Sequence, residues 1–167
     1  MNNNILKEKI EFILDDFKRK NFEQAILKSK KLLEEIPNND FLLNLIGMCY
    51  SNLSDLNKAS HFFLEAIKKN SSNLAAKNNY AMVLKAQNQL DEAKKLLKAI
   101  LDVNPKNITA LNNSANIEKD DRNFDKAISF YQKILEQDEK NITAHYNISM
   151  CYQDLRDNEK ALKHAKE

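Results

Sequence analysis

The chain holds one glycine and two prolines in 167 residues. That scarcity leaves little room for long loops or strand-rich architecture, and it excludes a glycine-rich loop that would cradle phosphate. The formal net charge is only +2, which argues against a nucleic-acid partner, since that function needs a concentrated basic face. Apolar residues make up 43%, yet no run is long enough to span a membrane. The start, Met1-Asn2-Asn3-Asn4, runs straight into charged sequence, so no signal peptide is expected. These absences predict a cytoplasmic protein without membrane insertion.

Chemistry is sparse as well. The three histidines, His61, His145 and His164, have no second ligand three or four residues away, so no metal site is expected. Ser, Cys and His are not grouped as a nucleophile and its base would be. No catalytic residue and no cofactor is assigned, and the reading is that of a protein that is not an enzyme.

What is present is a period. Alanine returns at Ala25, Ala59, Ala93, Ala127 and Ala161, every 34 residues. A fixed spacing of this length marks stacked helix–turn–helix units. With that alanine as position 20, the repeats run 6–39, 40–73, 74–107, 108–141 and an incomplete 142–167, in a single array covering 1–167. Apolar residues in a 3.6-residue rhythm make every unit helical. Ahead of the alanine, Asn21, Asp55, Asn123 and Asp157 open four of the second helices, as N-caps should, with Gln89 in the fifth. Position 8 is small in four repeats, Gly47, Ala81, Ala115 and Ser149, so that the two helices of a hairpin can approach. Ile13 departs from this rule, and Asp16 replaces the aromatic of the first helix. Cys49 and Cys151 share position 10, three repeats apart, and read as small buried hydrophobes rather than a disulfide. Lys28, Lys30 and Lys31, followed by Glu34 and Glu35, read as a solvated face. Asp120 and Asp121 fall at a turn and read as its cap.

The pattern resembles the tetratricopeptide repeat. Repeat two carries Leu43, Ile46, Gly47, Tyr50, Ala59, Phe63 and Ala66 at the family's large and small positions, and Pro37 and Pro105 stand near the ends of repeats one and three. The resemblance implies an all-α fold, a right-handed superhelical solenoid of about five repeats. It also implies a protein-interaction module whose first helices line a concave groove.

Those groove positions are not random. Position 6 is Asn79, Asn113 and Asn147; position 5 is Asn44, Asn78 and Asn112. A carboxamide offers two donors and an acceptor. One per repeat could pair with the backbone of an extended peptide. This resembles the asparagine ladder of the repeat domain of O-GlcNAc transferase. The implied ladder is Asn79, Asn113 and Asn147, and it stops at Leu45 and Glu11. Frequent asparagine is also what an AT-rich genome gives, which is the plainer reading. Position 9 gives Met48, Met82, Asn116 and Met150, with Leu14 in repeat one; methionine suits partners of varied shape. Ile10, Leu14 and Phe17 extend the apolar character as groove or as core. The lysine-and-asparagine clamp with which related repeats hold acidic chaperone tails is absent. The expected partner is therefore a protein or peptide. The second helix of repeat five ends at Glu167 without a capping helix. Two consequences stay open: the array belongs to a longer protein, such as a transferase it supplies with substrate, or its ends pair into a homo-oligomer.

Overall fold

A computed structural model describes residues 3–166 of the chain. The expectations placed on Met1, Asn2 and Glu167 lie outside the described residues. Ten helices and no strand are present among them. In chain order they are α1 (Asn3–Lys18), α2 (Phe22–Glu35), α3 (Asp40–Asn52), α4 (Leu56–Lys69), α5 (Leu74–Ala86), α6 (Leu90–Val103), α7 (Ile108–Asp120), α8 (Phe124–Leu135), α9 (Ile142–Asp154) and α10 (Asn158–Ala165). Odd-numbered helices are the first of each repeat and even-numbered ones the second. The helices fall into two compact units, one ending at Asn88 and one beginning at Gln89.

In the first unit, neighbouring helices pack in sequence from α1 to α5. Its main cluster joins Ile13 of α1, Ala25, Ile26 and Leu32 of α2, and Leu42, Leu45, Ile46 and Cys49 of α3. A second cluster holds Ala59, Phe63 and Val83. In the second unit, α6 to α10 pack likewise. Leu111, Ala115, Ala127, Ile128, Tyr131, Ile134, Ala144, Ile148 and Cys151 form its core. All five periodic alanines are buried. Ile10, Leu14 and Phe17 pack partly buried against the first core, and the Phe17 ring meets Phe22 edge-on at 5.5 Å. Core packing engages all three, and part of each side chain stays at the surface.

The small residue at position 8 has a measurable reason at Gly47. A Cβ there would stand 2.6 Å and 2.7 Å from Phe63 Cε1 and Cδ1, closer than real carbons approach. Position 24, where Phe63 stands, is Ser29 in repeat one, Leu97 in repeat three and Tyr131 in repeat four. Large Ile13 is thus matched in register by small Ser29, and small Gly47 by large Phe63. The departure of repeat one from the family pattern is a trade of volume, and Ile13 is buried like the residues it replaces.

Capping differs from expectation. Asp55 and Asp157 accept from the backbone N–H groups of Lys58 and Lys160, both at 3.1 Å. Asn21 and Asn123 make no side-chain cap bond, and neither does Gln89. Their ψ angles are 62°, 63° and 63°, against 74° and 78° at the two aspartates, and the side chain does not come over the helix end. Asn123 instead donates to Glu118 Oε2 at 2.9 Å. The full set of asparagine caps sits at the repeat ends. Asn39, Asn73, Asn107 and Asn141 each accept from the backbone three residues on, at 2.8–3.0 Å. Asp121 stands at the C-cap of α7, its backbone N–H on Ile117 O at 3.0 Å, and its carboxylate takes Lys94 Nζ at 2.7 Å.

Every turn inside a repeat carries one left-handed residue. These are Lys20, Ser54, Asn88, Arg122 and Arg156, with φ between 58° and 62°. Around four of them, a bond from the following N–H to a carbonyl five residues back closes the helix, as in Asp55 N–H to Tyr50 O at 2.9 Å.

Candidate functional site

The first helices carry the residues that sequence assigns to binding. In the first unit, Asn79 of α5 is half-buried and donates through Nδ2 to Asn44 Oδ1 of α3 at 3.0 Å. Asn44 is buried, and its own Nδ2 donates to Met48 Sδ at 3.6 Å. Asn78 is buried too and donates back to Leu74 O at 3.0 Å within its helix. Met48 is half-buried beside the Phe63 cluster, and Met82 is half-buried. Positions 5 and 6 of adjacent first helices are therefore joined directly here. Asn44 and Asn78 serve the packing of the unit and present little surface.

In the second unit, Asn147 of α9 accepts from Lys119 Nζ of α7 at 2.9 Å and donates to Thr143 O at 2.9 Å. Asn112 and Asn113 are half-buried on α7. Asn116 Oδ1 accepts from Tyr131 Oη at 2.7 Å, which binds α7 to α8 and gives the buried phenol its partner. Burial raises the Tyr131 pKa above the ordinary phenol value. Alongside these amides runs an exposed stripe on α9. Ile142 is 77% exposed, Tyr146 62%, and Met150 exposed as well. They stand at i, i+4 and i+8, so one helix face holds all three. Register picked out Met150; Ile142 and Tyr146 were missed because position 1 varies, with Leu6, Asp40, Leu74 and Ile108, and position 5 holds asparagine in repeats two to four.

A repeated surface module accompanies these faces. In repeat two, Lys58 Nζ lies 5.3 Å over the Tyr50 ring and bonds Asp55 Oδ2 at 2.7 Å. In repeat five, Lys160 lies 5.3 Å over Tyr152 and pairs with Asp157 at 2.9 Å. The lysine hydrogen bond is the largest cause lowering the pKa of Asp55 and of Asp157. The lysine run is distributed rather than simply solvated: Lys28 pairs with Asp16 at 2.5 Å, and Lys30 donates to Tyr50 Oη at 3.2 Å.

The reactive side chains are engaged in packing. Cys49 and Cys151 are buried free thiols, as the sequence led us to expect. Burial, followed by the charge of Glu23, pushes the Cys49 thiol up to about 11, so it stays protonated near neutrality. His145 and His164, distant in sequence, face each other with Nδ1 atoms 3.0 Å apart, and His145 Nε2 lies 2.9 Å from Glu139 O. A neutral ring that donates through Nε2 to a carbonyl accepts at Nδ1, and with His145 in that form His164 is the donor. Spacing along one helix could not reveal a pair that forms across a hairpin. Among the described residues, no group of three or more His, Cys, Asp or Glu could hold a metal ion. No described helix is long and apolar enough to cross a membrane.

Comparison with known proteins agrees with this architecture. Family profiles described as tetratricopeptide repeat match residues 53–113, 108–141 and 142–167. The human protein O-mannosyl-transferase TMTC2 is 30% identical over 83 residues, covering 47% of this chain and 10% of that protein. The chain therefore spans a tenth of that relative's length. Among solved structures, PilF of Pseudomonas aeruginosa superposes with a TM-score of 0.84 at 19% identity, covering 95% of this chain and 72% of that one. MamA of Desulfovibrio magneticus RS-1 gives 0.78 at 22%, covering 95% and 89%. YrrB, described as a TPR protein with an unusual peptide-binding site, gives 0.67 at 22%, covering 93% and 80%. Identities this low speak for the fold, which is the all-α tetratricopeptide solenoid.

Proposed function

The chain belongs to the tetratricopeptide repeat family and is a protein-interaction module, and from that premise we propose that it binds an extended peptide segment along the first-helix face. The observation that carries this reading is the exposed Ile142–Tyr146–Met150 stripe beside the Asn147 amide. Apolar side chains left in water on a folded surface mark a site of contact. Amides beside them supply donors and acceptors for a peptide backbone, with Asn79 and Asn113 at the same register position in their own repeats. Each rung contributes about 0.5–1.5 kcal/mol net, and ordering the peptide offsets part of that. Three rungs supply about 1.5–4.5 kcal/mol before that offset, so affinity near about 1 μM, or about −8 kcal/mol, requires the apolar stripe to supply the larger share.

The test is selection of peptides from a displayed random library, then titration against wild type and an N79A/N113A/N147A variant. The reading expects at least tenfold weaker binding to the variant with unchanged helical circular dichroism. Equal affinity would remove the ladder from the mechanism. A Tyr146→Ala variant separates the stripe from the amides, because Tyr146 is exposed and its truncation leaves the core intact.

A second reading rests on TMTC2, a protein named as an O-mannosyl-transferase: the array presents substrates to a fused transferase. It expects the reading frame to continue past Glu167 into a catalytic domain.

A further inference from the structure

Position 7 of the first helix is apolar or aromatic and packs on the preceding hairpin in repeats two, three and five, with Ser114 in repeat four. Ile46 of α3 clusters with Ile26 and Leu32 of α2. Tyr80 of α5 packs against Ala59 and Phe63 of α4. Ile148 of α9 clusters with Ile128 and Ile134 of α8. In each case the residue lies on the second helix of the repeat before it. Phe12 holds this position on α1, and it is 60% exposed. Beside it lies a recess of about 440 Å³ between α1 and α2, with Ile13 in its lining.

The rim has a sign. Lys9, Lys28 and Lys31 line the recess against a single carboxylate, Glu35. Glu35 is engaged by Lys9 at 2.7 Å, and Lys28 by Asp16 at 2.5 Å. Lys31 makes no ion pair among the described residues and is exposed. An apolar floor shaped like a face that receives a helix elsewhere in the fold, with an unmatched cation at its edge, defines the chemistry of its occupant.

We propose that this recess is a second binding site, distinct from the first-helix face, and that it receives an amphipathic helix of a partner protein whose apolar stripe is flanked by carboxylates. The stripe covers Phe12 and Ile13, and an acidic flank meets Lys31. A second copy of this chain fits less well. Its exposed Leu162 on α10 is accompanied by Lys163 and Lys166 against Glu159 alone, with Lys160 already paired to Asp157, and this net positive flank would meet Lys31 with like charge.

The experiment uses the full chain and two labelled model helices of about 18 residues, long enough to fold on contact. Both carry leucine at i, i+3, i+4 and i+7; one has glutamate on the flanks, the other lysine. Fluorescence anisotropy should show saturable binding of the glutamate helix and at least tenfold weaker binding of the lysine helix. Phe12→Asp and Lys31→Glu should each weaken the glutamate helix at least fivefold. Both residues are exposed, so helicity should be unchanged. The N79A/N113A/N147A variant should bind the glutamate helix as wild type does, which keeps this result separate from the fate of the first-helix reading. Equal binding of both helices, or indifference to both substitutions, would overturn the proposal. So would a Phe12-dependent rise in sedimentation mass with concentration, because the occupant would then be the chain itself.

Discussion

Replacing Gly47 by alanine sets two well-known effects against each other. Alanine in a helix interior is favoured over glycine by about 1 kcal/mol, so propensity alone makes the variant more stable. The structure opposes this. The new Cβ would meet the Phe63 ring at 2.6, 2.7 and 3.1 Å. Phe63 is 1% exposed and sits among Ala59, Val83, Met48 and Tyr80, so the ring has no solvent to swing into. Forcing an extra carbon into a filled core costs about 1–3 kcal/mol. The balance is a net loss of about 1 kcal/mol. Equilibrium urea unfolding followed by circular dichroism measures it, with the Phe63→Leu variant and the double variant completing a cycle. Repeat three carries Ala81 with Leu97 at these same register positions, so Gly47→Ala on the Phe63→Leu background should recover its propensity gain. A coupling of about 1–2 kcal/mol is expected for residues in contact. A Gly47→Ala single variant as stable as wild type, with strictly additive effects, would refute the packing account and leave Gly47 a residue of composition only.

Three other perturbations have defined outcomes. Ser54 holds a left-handed φ of 61°, which costs an L-residue about 1–2 kcal/mol; after the entropy glycine adds to the unfolded chain, Ser54→Gly should stabilise by about 0.5–1 kcal/mol in urea midpoints, and a loss would show that its side chain holds the turn. Ser29 is fully buried and its Oγ has no hydrogen-bond partner among the described residues, so Ser29→Ala should stabilise by about 1 kcal/mol, read as a higher melting temperature. The Asp55 and Asp157 carboxyls lie below their ordinary value because Lys58 and Lys160 hydrogen-bond to them. Their contribution is therefore complete above about pH 3.8 and lost as pH falls through the lowered folded values. The D55N/D157N variant, which keeps a capping oxygen, should melt lower at neutral pH and lose less on acidification than wild type.

The fold was legible because burial repeats with the sequence. An alanine that returns every 34 residues is buried each time, and the same arithmetic placed the helices and thiols. Legibility failed where conformation decides. Asn21 and Asn73 look alike as letters, yet only Asn73 caps a helix, at 2.8 Å to Ala76 N–H; a difference in backbone approach separates them. The left-handed turn residues carried no signal, because lysine, serine, asparagine and arginine fill a place where glycine would have announced it. The proposed ladder residues were chosen by register, but register could not show that Asn79 already bonds Asn44. Nor could it show that Asn147 already accepts from Lys119. Such bonds join two first helices and require both in place. The His145–His164 pair needed the same information across a hairpin.

The matched volumes within each hairpin bear on how such an array can be inherited. Repeated coding sequence invites unequal crossing-over, which deletes or duplicates units. An exchange at a repeat boundary passes on Gly47 together with Phe63. An exchange inside a repeat would join the first half of repeat one to the second half of repeat two. Ile13 would then stand across from Phe63, where even a single added carbon lies 2.6 Å from the ring. Repeat four fits Ala115 opposite the buried Tyr131, so one carbon can be accommodated there, but isoleucine adds three more and would overpack the pair. Selection would therefore act against a breakpoint that joins Ile13 to Phe63, whereas an exchange at a repeat boundary passes on each matched pair intact.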